Sequence, residues 1–271
     1  MRLAFIGGGV MAEAIIGGVL SKGVVEASHI AVGEPLEERR TVLLSRFGVL
    51  VFAENHAAVD GCDLVVLATK PQNLPDALGQ LRGILQPDQV VLTIVAGTPM
   101  STIIDGLNHA KVVRVMPNTP SQIGEGMTVW TSSPQVNEES KEMTASILET
   151  MGKQIYVSDE KYLDMATALS ASGPAYVFMF IEALTDAGVH IGLSRDMSQA
   201  MALQTVLGST KLAVETGKHP AELRNMVTSP GGTTVEALLE LEDGGFRSSV
   251  LNAVIAAYRR SLELGGHRWT S

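Results

Sequence analysis

The chain has 271 residues, 45% of them apolar, with a formal charge of −9 and a pI near 5.2. That length suits two domains with a sizeable buried core. An acidic surface disfavours nucleic acid and anionic membrane as partners, but leaves room for a small anionic substrate bound by local donors.

Cys62 is the single cysteine. No intrachain disulfide can form, which points to a reducing, cytoplasmic setting. The residue adjoins the apolar run 64–68 and reads as an inert, partly buried thiol. The apolar start over residues 1–6 is too short for a signal peptide. No window approaches the ~18 apolar residues of a membrane span. The glycine-rich tail 265–271 is expected to fray, and no metal site is expected.

From the N-terminus, β-branched runs alternate with helical patterns. Strands are expected at 3–6, 30–32, 49–52, 64–68, 90–95 and 112–116. Helices are expected at 11–20, 36–47, 75–85 and 99–107, with a short helical turn at 55–59. Gly48 is placed to stop the second helix in a left-handed conformation. Such alternation predicts a doubly wound, mostly parallel sheet with helices on both faces. Strands at 127–131 and 154–157 bracket a helix at 137–151 and extend the sheet. Residues 1–158 therefore read as a dinucleotide-binding domain of Rossmann type.

Beyond 159 the strand signals stop. Helices are expected at 160–171, 174–190, 195–215, 220–227, 233–241 and 246–264, giving an all-helical domain over 159–271. The stretch Ala175-Tyr176-Val177-Phe178-Met179-Phe180-Ile181 is apolar without a break. A helix apolar all round needs cover on every side, and ~110 residues supply little. This half therefore reads as an oligomer interface, with a compact monomeric helical domain as the alternative.

Three features carry chemistry. Gly7-Gly8-Gly9-Val10-Met11-Ala12 fits G-x-G-x-x-A between a strand and a helix. Gly7 allows the tight turn, Gly9 admits a pyrophosphate, and Ala12 permits close packing. The helix start then supplies N–H donors and a positive dipole end. Glu34 follows the second strand, where a carboxylate takes a ribose hydroxyl; it equally suits the start of the next helix. The carboxylate would repel a 2′-phosphate and so favours NAD, while Arg39 and Arg40 lie close enough in sequence to meet such a phosphate, so NADP stays open. Secondly, the loops Thr69-Lys70-Pro71-Gln72, Val95-Ala96-Gly97 and Met116-Pro117-Asn118-Thr119-Pro120 follow strands and face the same crevice. Lys70 would neutralise phosphate and Asn118 would orient a nicotinamide; both also suit simple turn caps. Thirdly, Thr228-Ser229-Pro230-Gly231-Gly232-Thr233-Thr234 feeds a helix. Thr233 or Thr234 makes a good N-cap, and the N–H groups of Gly232, Thr233 and Thr234 make a carboxylate site.

These motifs, with Ser172-Gly173-Pro174-Ala175-Tyr176, stand in an order and spacing that resembles the pyrroline-5-carboxylate reductase family over nearly the full length. The last motif, continuing through Gly244-Gly245-Phe246-Arg247, is specific to that family. Met226 and Ala171 depart from its usual pattern. The resemblance implies a Rossmann domain followed by a helical domain that interlocks in a homodimer, often assembled further into a decamer. It implies reduction of L-1-pyrroline-5-carboxylate to L-proline with NADPH or NADH. It also implies that residues 6–11 (Ile6, Gly7, Gly8, Gly9, Val10, Met11), Asn55, Thr69, Lys70, Pro71, Gln72, Val95, Ala96 and Gly97 touch the cofactor. Glu160, Gly231, Gly232, Thr233 and Thr234 are implied at the substrate site, with Thr234 catalytic. A β-hydroxyacid dehydrogenase needs a lysine and an asparagine spaced on its interdomain helix; the helices at 160–171 and 174–190 offer only Lys161 and no asparagine. A non-catalytic dinucleotide sensor would keep the glycines without needing the 228–234 loop.

Overall fold

A computed structural model of the chain describes residues 1–266. Most of the tail expected to fray, 267–271, lies outside the described residues. The chain divides into two compact units, residues 1–172 with 256–271, and residues 173–255.

In the first unit the elements run β1 (Leu3–Ile6), α1 (Val10–Ser21), β2 (Ile30–Gly33), α2 (Glu37–Phe47), β3 (Leu50–Phe52), α3 (Asn55–Ala58), β4 (Leu64–Leu67), α4 (Leu74–Leu81), β5 (Val90–Thr93), α5 (Met100–Leu107), β6 (Val112–Met116), β7 (Gly126–Ser132), α6 (Glu138–Leu148) and β8 (Gly152–Tyr156). The expected strands all form. Gly48 ends α2 with φ +67°, as its position predicts. The helix expected at 75–85 stops at Leu81. Gly83 turns the chain there with φ +75°, while the Arg82 guanidinium binds the Asp105 and Gly106 carbonyls.

The sheet has the order β3-β2-β1-β4-β5-β6-β7-β8. Neighbours are parallel except β6 and β7. Alternate residues feed two separate cores, because successive side chains leave opposite faces. Leu3, Phe5, Val32 and Val66 pack with α1, α2 and α6. Ala4, Ile6, Val65 and Leu67 pack with α4 and α5. The strand order reverses direction at β1/β4, the switch point where open α/β sheets bind ligands. Ile6 pairs with both Gly33 and Leu67, so β1, β2 and β4 end at one level.

Three further segments follow: α7 (Lys161–Ala166), a π-turn at Thr167–Ala171, and α8 (Gly173–His190). The expectation that no stretch could span a membrane needs correction on length and composition. Residues Lys161–His190 form one helical run of 30 residues, whose best 18-residue window has mean hydropathy 1.2. The Ser170–Pro174 turn signal hid this continuity, since the helix passes through it by a π-turn rather than stopping.

The second unit contains most of α8, then α9 (Arg195–Thr216), α10 (Pro220–Met226), α11 (Thr233–Asp243) and the first half of α12 (Phe246–Leu264). Gly188 lets α8 close on α9, since a Cβ there would meet Ser198 Oγ at 2.6 Å. Few side chains are buried: Thr185 on α8, Ser198 and Ala202 on α9. Phe178 is 61% exposed and Met179 74%. The scant core matches the expectation drawn from the uninterrupted apolar run.

Candidate functional site

The glycine turn sits where β1 meets α1. Gly7 has φ +94°, and a Cβ on it would lie 2.9 Å from the Ala68 carbonyl oxygen. Its N–H donates to the Gly33 carbonyl at 2.8 Å, tying the turn to the end of β2. Gly9 caps α1 without side-chain help, and a Cβ built there meets nothing within 4 Å. Glu13 donates its N–H to the Gly9 carbonyl, and the preceding first-turn donors are the ones a helix start offers an anion. Thr69 Oγ1, just past β4, is buried without a hydrogen-bond partner. An open cradle over Gly9 and an orphaned hydroxyl beside the turn both fit a dinucleotide.

Glu34 is 8% exposed at the end of β2. Its Oε2 accepts from Gly8 N at 2.9 Å and its Oε1 from Leu36 N at 3.0 Å. The carboxylate thus braces the turn before α2 and the glycine loop together. Arg39 donates to the Gly8 carbonyl and pairs with Glu13. Arg40 donates to the Glu34 and Pro35 carbonyls at 2.8 and 2.7 Å. Asn55 lies against the same strand end: its Oδ1 would sit 2.6 Å from a Cβ on Gly33, and its Nδ2 donates to Gln80.

The remaining sequence-marked residues divide by environment. Lys70, Pro71 and Gln72 are exposed beyond β4, Val95 is buried and Ala96 exposed. Gly97, with φ +68°, is overlain by Leu264, whose Cβ would meet a Cβ on Gly97 at 2.8 Å. The Asn118 carboxamide is committed inside the protein. Its Oδ1 accepts from Met127 N at 2.9 Å, and its Nδ2 donates to the Ser170 carbonyl at 3.3 Å.

Sequence reasoning missed a buried charge network. Arg114 on β6 is 3% exposed. It donates to Glu160 Oε1 at 2.8 Å and lies 3.4 Å from Asp164 Oδ1. Glu160 Oε1 also accepts from Met100 N at 2.7 Å, and Ser261 donates to Asp164 at 2.9 Å. Glu160, marked for the substrate site, is thus anchored to the start of α5. A charged residue within Val112-Val113-Arg114-Val115 was the available signal, because an interior strand position demands a partner for it.

In the second unit Gly232, not a threonine, caps α11, with extended φ and ψ of −84° and 168°. The turn forces this: Gly231 takes φ +68°, and the Gly232 N–H closes onto the Ser229 carbonyl at 3.0 Å. Both expected cap residues therefore fall inside the first helical turn. Gly232 spends its N–H on the turn, so the donors for a carboxylate narrow to Thr233 and Thr234. Elsewhere Cys62 is buried, as expected. Burial pushes its thiol above the ordinary value, Arg2 opposing, with Asp63 and Asp60 reinforcing.

Two family patterns match the chain. That described as pyrroline-5-carboxylate reductase dimerisation covers residues 160–264, and that described as NADP oxidoreductase, coenzyme F420-dependent, covers 2–97. A pyrroline-5-carboxylate reductase of Glycine max is 42% identical, the alignment covering 97% of this chain and 95% of the relative. One of Synechocystis sp. is also 42% identical, covering 98% of each. The solved pyrroline-5-carboxylate reductase of Coxiella burnetii superposes with a TM-score of 0.90 at 34% identity, covering 99% of both chains. The Plasmodium falciparum pyrroline carboxylate reductase, solved with NADP bound, gives 0.89 at 31% identity, covering 98% of both.

Proposed function

The chain belongs to the pyrroline-5-carboxylate reductase family, and from that premise we propose that it reduces L-1-pyrroline-5-carboxylate to L-proline, using NADPH or NADH, as the last step of proline biosynthesis. The observation that carries this reading is the open cradle over Gly9 beside the orphaned Thr69 hydroxyl, in a chain that also keeps the 228–234 turn. A reduced nicotinamide, when bound, supplies the hydride that reaches C5 of the imine.

The protein's part is binding, orientation and proton handling. The glycine turn, Val10 and Met11 hold the pyrophosphate at the start of α1. Thr69, Lys70, Pro71, Gln72, Val95, Ala96 and Gly97 bound the dinucleotide beyond the strand ends, and Asn118 fixes the backbone behind them. The N–H groups of Thr233 and Thr234 take the substrate carboxylate at the start of α11. Thr234 Oγ1 orients the ring nitrogen and relays its proton through water. The protonated imine is the better electrophile, so no strong acid is needed, and near-attack positioning supplies much of the rate. Glu160 is assigned to substrate binding, and its bonds to Arg114 and Met100 both fall on Oε1.

Residues 1–158 serve as the cofactor domain and 159–271 as the substrate and dimerisation domain. The exposed apolar side of α8 is assigned to a second copy of the chain rather than to a membrane, in a homodimer that assembles further into a decamer. A cytoplasmic location is assigned because a single cysteine allows no intrachain disulfide and so suits a reducing compartment.

A steady-state assay with pyrroline-5-carboxylate and each nicotinamide in turn tests the proposal. Loss of reduced nicotinamide matched by gain of L-proline is expected. Tight dinucleotide binding with no turnover of the imine would instead favour a non-catalytic sensor.

A further inference from the structure

We infer that Glu34 selects the unphosphorylated adenosine ribose, so that this chain holds NADH more tightly than NADPH. The inference rests on reading the glycine turn as the dinucleotide site.

The turn between β2 and α2 is poor in donors. Glu34 spends its N–H on the Phe52 carbonyl at 2.9 Å. Pro35 has none to give. Leu36 spends its own on Glu34 Oε1 at 3.0 Å. The first turn of α2 then presents Glu37 and Glu38, whose charges oppose an anion at that helix start. A 2′-phosphate arriving here meets no uncommitted backbone donor before α2 and three carboxylates.

The nearby cations do not reverse this. Arg39 and Arg46 both pair with Glu13, and Arg39 also binds the Gly8 carbonyl. Arg40 is held by the Glu34 and Pro35 carbonyls. Arg39 and Arg40 are thus drawn to carbonyls of the two turns, and Arg46 to Glu13 on α1.

A free ribose suits the same place. An ionised carboxylate accepts about four hydrogen bonds, and the two N–H groups from Gly8 and Leu36 leave capacity on both oxygens. Hydroxyl groups at the 2′ and 3′ positions donate to such an acceptor, whereas a phosphate dianion has no proton to give and is repelled. The two N–H bonds also hold the carboxylate in place, so binding the ribose costs little side-chain ordering.

Equilibrium titration of the intact protein with NADH and with NADPH, read by nicotinamide fluorescence, tests this without turnover. Displacement by ADP-ribose and by its 2′-phosphate repeats the comparison on the adenosine half alone. NADH and ADP-ribose are expected to bind about tenfold or more tighter than their 2′-phosphorylated counterparts. Glu34→Gln removes the charge and should shrink that ratio by about tenfold, chiefly by tightening NADPH. Equal affinities, a preference for NADPH, or a ratio unmoved in Glu34→Gln would overturn the inference while leaving the dinucleotide site intact. Failure of every nucleotide to bind would overturn the reading of the glycine turn as well. If Glu34→Gln loses its native circular dichroism spectrum, the wild-type ratios decide alone.

Discussion

Asn118 donates its side-chain N–H to the carbonyl of Ser170 at 3.3 Å. In an α-helix that carbonyl would accept from residue 174, four positions on, but Pro174 has no N–H. A side chain from the loop after β6 therefore stands in for the missing backbone donor. The same carboxamide accepts from Met127 N, so one residue joins β7 to the π-turn. Asn118→Ala should destabilise the protein by about 1–3 kcal/mol in denaturant unfolding, by leaving both groups unserved. In a Pro174→Ala background, where residue 174 regains its N–H, the loss should be smaller. A cycle showing full additivity would contradict the substitution of one donor for the other.

Arg114 makes a second, buried linkage. Its guanidinium meets Glu160 and Asp164, and Ser261 donates to the same Asp164 oxygen. β6, α7 and α12 are thereby tied at one point. Arg114→Leu leaves Asp164 buried without its cation and should cost about 3 kcal/mol or more. Ser261→Ala removes one charge-assisted bond and should cost about 2 kcal/mol. Urea denaturation of the three proteins orders them; an Arg114→Leu protein as stable as wild type would sink the account.

These two linkages mark where sequence reading stopped. The strands and the glycine turn were legible because each rests on local pattern: residues 3–6, 64–67 and 90–93 are uniformly buried runs, and Gly7 needs its positive φ. Helix α4 ends at Leu81, where Gly83 takes φ +75°, a local signal that the apolar pattern of 75–85 overrode, and Arg82 then binds carbonyls on α5. The cap of α11 falls one residue before Thr233 and two before Thr234, because Gly232 closes its turn onto Ser229. Glu34 was marked by its place after β2, yet its double grip on Gly8 and Leu36 depends on the register of β1 against β2. The partners of Arg114 lie 46 and 50 residues away, beyond the reach of any periodicity.

Two neighbouring glycines should respond in opposite ways to substitution. A side chain on Gly9 meets no protein atom within 4 Å, so Gly9→Val should fold normally yet lose dinucleotide binding by filling the pyrophosphate's space. A Cβ on Gly7 would crowd the Ala68 carbonyl at φ +94°, so Gly7→Ala should instead lower stability, by about 1–3 kcal/mol. Melting curves and nicotinamide titrations on both variants separate the two effects. Unchanged nucleotide affinity in Gly9→Val would count against the placement of the cradle.

Thr234 sits one residue into the first turn of α11, and its hydroxyl carries the proton-relay part of the proposed reaction. Thr234→Ala should lower kcat/KM roughly 100-fold, within the range of general acid–base contributions, while nucleotide affinity stays put. Thr234→Ser, which keeps the oxygen, should recover much of the rate. Equal kcat/KM in wild type and alanine variant would remove Thr234 from the mechanism.

The second unit's apolar surface gives the last test. Phe180 and Phe246 pack within the chain, with ring centroids 6.1 Å apart, whereas Phe178 and Met179 on α8 are mostly exposed. Contiguous exposed apolar surface of this kind marks an association face, and the interface cores of homodimers are rich in such side chains. Burying an aspartate there without a partner is strongly unfavourable, so Phe178→Asp should break the assembly. Light scattering should then give the mass of a single chain, against a multiple of it for wild type. Phe180→Ala should instead lower the melting temperature, with less effect on mass at working concentration. If Phe178→Asp keeps the wild-type mass, α8 does not form the subunit contact, and another face must close the oligomer.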